Sequence, residues 1–331
     1  MSYEYLKDNL HGIISLVFTP FKADGSLNEE ALRYMINKMK GDLRGHRACI
    51  MAGGSLAEFF TMSDAETVRY IDVVSETVGK DIPLIMGVGR AGTDYTIELA
   101  QYAESRGAAA VMVMNPYYVA PTEAGLYRHY ARIAGSVNCG IVLYNNSQQT
   151  KIALYPELTK RLSEIDNIVG IKENTPYIST YTRLMTIIDP EKFVVTCGPG
   201  YDFYPYAALA GVRGYVTELM NILPETAIAL QDAAETSDYP RMMEIVYRMD
   251  PYMKVQSGCA AGALLPSLIS PFVASAGFTY LTDFMKCAIS ISNGIEYGRA
   301  RDPSELISNE SIERLRQVIY ELKALQWQYR P

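Results

Sequence analysis

The chain has 331 residues, 49% hydrophobic and 20% charged, the make-up of an ordinary globular protein long enough for a large core. Its net charge of −7 leaves no basic stripe to neutralise phosphates, so nucleic acid is not the expected partner. No basic-then-apolar leader and no apolar run of bilayer length occurs, so neither secretion nor a membrane is expected. Five scattered cysteines fit buried thiols in a reducing cytoplasm better than a disulfide framework. His11, His46 and His129 lie far apart without ligand spacing, so no metal site is expected.

Eight short apolar runs follow one another, at residues 12–18, 48–52, 82–88, 109–114, 140–144, 168–172, 193–197 and 211–217. Each is apolar throughout, as expected for parallel strands covered on both faces. Helix-length segments separate them. Ser63-Asp64-Ala65-Glu66 reads as a capping box, and Thr93-Asp94 is expected to open a helix reaching about Arg106, closed by Gly107. Strand-then-helix eight times over is what an α/β protein of the (β/α)8 TIM barrel class requires. A doubly wound sheet would more often carry a glycine-rich loop after its first strand, and Phe18-Thr19-Pro20-Phe21 is not one. Helical segments alone are expected from Pro224 onward, at 225–236, 239–253, 281–292 and 309–326. The chain therefore divides into a barrel, 1–223, and a C-terminal helical extension, 224–331.

In such a barrel the chemistry sits at the C-terminal ends of the strands. Those ends carry Thr19, Gly53-Gly54-Ser55, Asn115-Pro116-Tyr117-Tyr118, Tyr144-Asn145-Asn146, Lys172, Gly198-Pro199-Gly200 and Thr217-Glu218. The most telling is Lys172, which ends the buried run Ile168-Val169-Gly170-Ile171. An amine there loses hydration, which favours its neutral form, nucleophilic towards carbonyl carbons. The plainer alternative is a lysine that reaches solvent or pairs with Glu173. Tyrosines and hydroxyls at neighbouring strand ends suit an imine-forming lysine with phenolic proton transfer. The turn after Gly53 and Gly54 exposes backbone amides able to receive a carboxylate. Taken singly, Tyr117, Tyr118 and Tyr144 also fit as packing aromatics, and Ser55 as a turn residue.

Gly-Ile-Lys-Glu at 170–173, Leu-Tyr-Asn at 143–145, Asn-Pro-Tyr-Tyr at 115–118 and Gly-Ser-Leu-Ala-Glu at 54–58, in this order and spacing, resemble one family. It is the dihydrodipicolinate synthase and N-acetylneuraminate lyase family of Schiff-base aldolases and dehydratases. The resemblance implies that Lys172 forms the imine and that Tyr144 shuttles protons. It matches Ser55 to the first hydroxyl of a paired motif and Tyr118 to a tyrosine that joins the relay across a subunit interface. It places a 2-oxo acid carboxylate on the amides of the Gly54–Ser55–Leu56 turn, and Val216 where a backbone carbonyl lines the pocket. A homo-oligomer, a dimer or a tetramer built from dimers, is also implied.

The departures from the family pattern are specific. Leu56 stands where the second hydroxyl belongs, and Ala57 where a glycine follows it. Gln149 stands where the synthases carry an arginine that grips the aldehyde's carboxylate, and an amide offers no bidentate charged fork. Phe59-Phe60 resembles the sugar-acid dehydratase branch. The expected function is a cofactor-free aldolase or dehydratase acting on pyruvate or a related 2-oxo acid, sugar-acid derivatives included. Two alternatives stand beside it: a 4-hydroxy-tetrahydrodipicolinate synthase, or a 2-oxo acid-binding barrel without catalysis, which Leu56 keeps open.

Overall fold

The computed structural model describes residues 1–259 and 275–325. Eight strands in the described residues close into one parallel barrel, each hydrogen-bonded to its sequence neighbours, with β8 returning to β1. They are β1 (Ile13–Leu16), β2 (Ala48–Ala52), β3 (Leu84–Gly87), β4 (Ala110–Met114), β5 (Gly140–Asn145), β6 (Ile168–Glu173), β7 (Val194–Cys197) and β8 (Gly214–Thr217). Every strand residue is buried, because barrel filling covers the inner face and the helices cover the outer one. The strands are shorter than several of the apolar runs. Val17 and Phe18 stay buried but leave β1, and Ile82 and Pro83 precede β3. A run covered on both faces does not reveal where its ladder stops.

The helices between the strands start where the local chemistry allows. Ser63 accepts from the Glu66 amide while Glu66 bonds back to the Ser63 amide, so the capping box opens the helix Asp64–Val78. At the helix Thr93–Ser105 the cap is instead Gly92, without a side-chain bond. The Thr93 hydroxyl lies 2.9 Å from His129 Nδ1, a tertiary contact that replaces the expected local one. Gly107, at φ +93°, follows the helix as expected.

A helix not foreseen in the sequence, Tyr3–Leu10, packs Leu6 and Leu10 against the N-terminal end of the barrel. Backbone approach there is very close: a Cβ placed on Gly214 would stand 1.9 Å from the Leu10 carbonyl oxygen. No side chain fits that gap, so Gly214 is what lets the helix seal the barrel.

Beyond β8 come helices Pro224–Glu235, Tyr239–Arg248, Asp250–Cys259, Ser275–Asn293 and Asn309–Ala324. The single helix expected over 239–253 is thus two. Pro251 lacks the amide that would continue the ladder, and the chain turns at Met249. Residue 326, the expected end of the last helix, lies outside the described residues. No helix of the described residues is long and apolar enough to cross a membrane.

Replacing Gly214 by Ala should lower stability by about 1–3 kcal/mol, the range for overpacking a tight site. Gly41→Ala, in the helix Glu29–Asp42 with open space around it, should stabilise by about 0.5–1 kcal/mol. Urea midpoints of the two variants check this; matching midpoints would mean that Gly214 has room to spare.

Candidate active site

The cavity at the C-terminal mouth of the barrel has a volume of about 230 Å³ and gathers residues from several strand ends. Its wall includes Gly54, Ser55, Leu56, Tyr144, Gln149, Lys172, Val216 and Glu218, with Leu281 reaching in from the helix Ser275–Asn293. Among the sequence-predicted site residues, Tyr118 is the one that the cavity does not include.

Lys172 is 5% exposed, and its Nζ lies 4.4 Å from the centre of the Tyr144 ring. That pairing depends on register. Ile141 of β5 stands opposite Ile168, but Val142 stands opposite Gly170, so Val169 is an extra residue in β6. The bulge puts Tyr144 directly opposite Lys172; an unbroken ladder from Ile141 would have put Ile171 there. Both side chains therefore enter the same cavity.

Glu173 is not the partner of Lys172. Its carboxylate accepts from Asn145 Nδ2 and from the Thr175 amide, each at 2.8 Å. Burial pushes this carboxyl upward, and the hydrogen bonds oppose the shift. No described carboxylate lies in ion-pair range of Lys172, and its contact is the face of a phenol.

Asn146, to which the sequence assigned no role, ties the cavity together. Its Nδ2 donates to the Tyr144 hydroxyl at 3.0 Å and lies 3.4 Å from Ser55 Oγ. An amide donor on the phenol oxygen leaves the phenol's own proton free for the cavity. Leu56, beside Ser55, adds no hydroxyl to this network. The amide stands two residues after Tyr144, at the start of the short helix Ser147–Thr150, which also brings Gln149 to the wall.

The Ser55 turn is shaped by the backbone. Gly53 sits at φ +71°, where a Cβ would come within 2.9 Å of the Gly87 carbonyl oxygen, so only glycine fits. A short 3-10 turn starts at Ser55, and the first amides of a helical turn have no partner within it. Thr19 Oγ1 donates to the Ala57 carbonyl at 2.6 Å and ties this turn to the end of β1.

Glu58 follows in the left-handed region at φ 55°, with its carboxylate fully buried. There it forms an ion pair with Lys286 of the helix Ser275–Asn293, itself fully buried. The Arg301 amide donates to the other carboxylate oxygen at 2.7 Å, and Lys286 Nζ donates to the Arg299 carbonyl at 3.1 Å. Burial pushes the Glu58 carboxyl up and the Lys286 ammonium down, while each opposes the other's shift. A residue 228 positions later in the chain thus holds the Ser55 turn, and no local pattern announces it.

Tyr117 and Tyr118 diverge. Tyr117 packs edge-on against Phe59, with ring centres 6.2 Å apart, whereas Tyr118 is 88% exposed. Within one chain Tyr118 does not reach the cavity. Among the described residues, no group of three or more His, Cys, Asp or Glu is placed to hold a metal ion.

A strand-end lysine and tyrosine in a barrel of this topology invite comparison with known proteins. The family model described as "Dihydrodipicolinate synthetase family" matches residues 9–291. The chain belongs to the dihydrodipicolinate synthetase family. Members of this family are lyases of the aldolase type, and this chain is accordingly an enzyme of that class. Its curated relatives include the 4-hydroxy-tetrahydrodipicolinate synthase of Methanothrix thermoacetophila, 33% identical over 73% of this chain and 80% of that protein. The Archaeoglobus fulgidus protein of the same name is 33% identical over 74% of this chain and 82% of its own length. Among solved structures, YagE is a prophage protein of the dihydrodipicolinic acid synthase family from E. coli K12, in complex with pyruvate. It matches with a TM-score of 0.81 at 25% identity, covering 94% of this chain and 98% of that one. The dihydrodipicolinate synthase of Aquifex aeolicus matches with a TM-score of 0.79 at 26% identity, over the same shares.

Lys286→Met should destabilise this family member by about 3–5 kcal/mol, since Glu58 would keep a buried charge without its partner. Adding Glu58→Gln should recover much of the loss. Denaturant titration of both variants tests this, and additive losses would count against a coupled pair.

Proposed function

We propose that the chain is a Schiff-base-forming lyase acting on pyruvate or a closely related 2-oxo acid, with the imine on Lys172. The observation that carries the reading is the Lys172 amine against the Tyr144 ring, inside a cavity and without a carboxylate partner. In this reading the amine adds to the ketone, and the carbinolamine loses water to give a protonated imine. That imine is an electron sink, so a proton leaves C3 and an enamine forms. The enamine carbon then attacks an aldehyde, and the new alkoxide takes up a proton; hydrolysis of the imine returns Lys172. Cleavage is the reverse sequence, and a dehydratase would instead use the enamine to expel the hydroxyl on C4, protonated as it leaves as water.

Tyr144 would move the protons, with Ser55 and Asn146 orienting its hydroxyl. The amides of Ser55 and Leu56 would hold the 2-oxo acid carboxylate, with Gly54 shaping the approach and Val216 closing the wall. Tyr118 would join the relay only from a second copy, consistent with its exposure here. A cytoplasmic homo-oligomer, dimer or tetramer, belongs to the same proposal.

The names of the curated relatives favour a second reading, a 4-hydroxy-tetrahydrodipicolinate synthase. Gln149 weighs against it. No arginine lines the cavity among the described residues, so an aldehyde's own carboxylate finds no guanidinium fork. Complementation of a lysine auxotroph lacking its synthase separates the two readings.

Borohydride reduction with pyruvate should leave an adduct on the peptide that contains Lys172, read by mass spectrometry. Lys172→Ala should abolish both adduct and turnover; full activity in that variant would end the imine mechanism. Tyr144→Phe should keep the adduct but lower turnover roughly 10²–10⁴-fold. Failure to trap any 2-oxo acid would leave a binding barrel without catalysis.

A further inference from the structure

Among the described residues that line the cavity, Lys172 and Glu218 are the two of charged type. Glu218 follows β8 directly, half-buried, and none of the steps above uses it. Among the described residues, its surroundings supply no counter-charge beyond Lys172. A point one Cβ bond from Gly200 lies 3.8 Å from Glu218 Oε2 and 3.6 Å from Asp202 Oδ1, so a second carboxyl stands close by. Next to Asp202, Tyr201 is 3% exposed and its hydroxyl has no hydrogen-bond partner among the described residues. The far wall is completed by amides, Gln148, Gln149 and Asn174.

We propose that Glu218 selects the second substrate, hydrogen-bonding a hydroxyl on a neutral aldehyde and rejecting aldehydes that carry their own carboxylate. The inference rests on the imine reading above. It names the substrate class of that site: short hydroxyaldehydes, giving 2-oxo acids with a neutral polyol tail. A carboxyl group and a hydroxyl are compatible in either protonation state, because the hydroxyl both donates and accepts. A second carboxylate is compatible only while Glu218 keeps its proton.

The titratable groups facing Glu218 are Lys172 on β6, Tyr201 and Asp202 after β7, Tyr215 on β8, and Tyr252 on the helix Asp250–Cys259. Burial raises all three tyrosines above their usual range, so they stay neutral near neutral pH. Burial, reinforced by Asp202 and opposed by Lys172, pushes Glu218 up to about 7. Discrimination against a carboxylate should therefore be weak below neutral pH and strong above it.

The test uses the whole enzyme with pyruvate and two aldehydes, glyceraldehyde as the neutral one and succinic semialdehyde as the anionic one. Rates are expressed per borohydride-trapped pyruvate imine, which reports the folded, lysine-competent fraction of each preparation. The ratio of kcat/KM for glyceraldehyde over succinic semialdehyde should rise roughly tenfold between about pH 6 and about pH 8.5, the effect of one added like charge at close range. Glu218→Gln should flatten that rise while still favouring the hydroxyaldehyde. Glu218→Leu should lose roughly tenfold or more on glyceraldehyde alone. A ratio that stays flat with pH in the unmodified enzyme overturns the inference without need of any variant. So does a Glu218→Gln profile matching the unmodified one, while the trapped imine keeps the function reading intact. Absence of the trapped imine sinks the function reading and this inference together.

Discussion

A closed parallel barrel leaves little freedom in register, because each strand must match two neighbours at once. In this chain one extra residue, Val169, decides what meets at the mouth. With it, Lys172 faces Tyr144; without it, an isoleucine would. A slip of one residue also turns every following side chain to the other face of the sheet. Lys172 would then move to the place of Glu173, whose carboxylate is now held outside the barrel lining by Asn145 and Thr175. The chemistry at the mouth depends on this single irregularity in the ladder.

A second constraint acts from the far end of the chain. The Ser55 turn bends through a left-handed Glu58, a conformation that a non-glycine residue adopts at some cost. Its buried carboxylate is held by Lys286 and by the Arg301 amide. Asp283 in turn grips Arg299 with bonds of 2.8 and 2.6 Å, so the segment carrying these groups is itself anchored. Buried pairs of this kind add little net stability over apolar packing, but they are costly to break singly. Their effect here is to give the turn one position relative to Lys172, and to make the C-terminal helices part of the site.

The cavity that results has an unusual balance of charge. Among the described residues, its wall presents one amine, one carboxyl and several amides. Asn146, just after β5, donates to the Tyr144 hydroxyl, so Tyr144 has a partner although Leu56 offers no hydroxyl. With Glu218 on the wall and no guanidinium there among the described residues, the distal field bears on which molecules can share the space with a bound 2-oxo acid.

By itself the sequence determined the class of fold, since eight apolar runs alternating with helix-length segments admit few other arrangements. It also singled out Lys172, Tyr144 and Ser55, because strand ends are readable as local signals and a lysine closing an apolar run is conspicuous; Gln149 came from the family resemblance alone. The helix Tyr3–Leu10, the break before Pro251 and the strand ends after Leu16 and before Leu84 were less legible. Packing on both faces erases the periodicity that marks such boundaries. Only the tertiary structure decided the β6 bulge, the bridge through Asn146, the Glu58–Lys286 pair and the meeting of Glu218 with Asp202. Each joins groups separated in the chain, and burial gives each its effect: water is excluded and every polar group must find its partner in the fold.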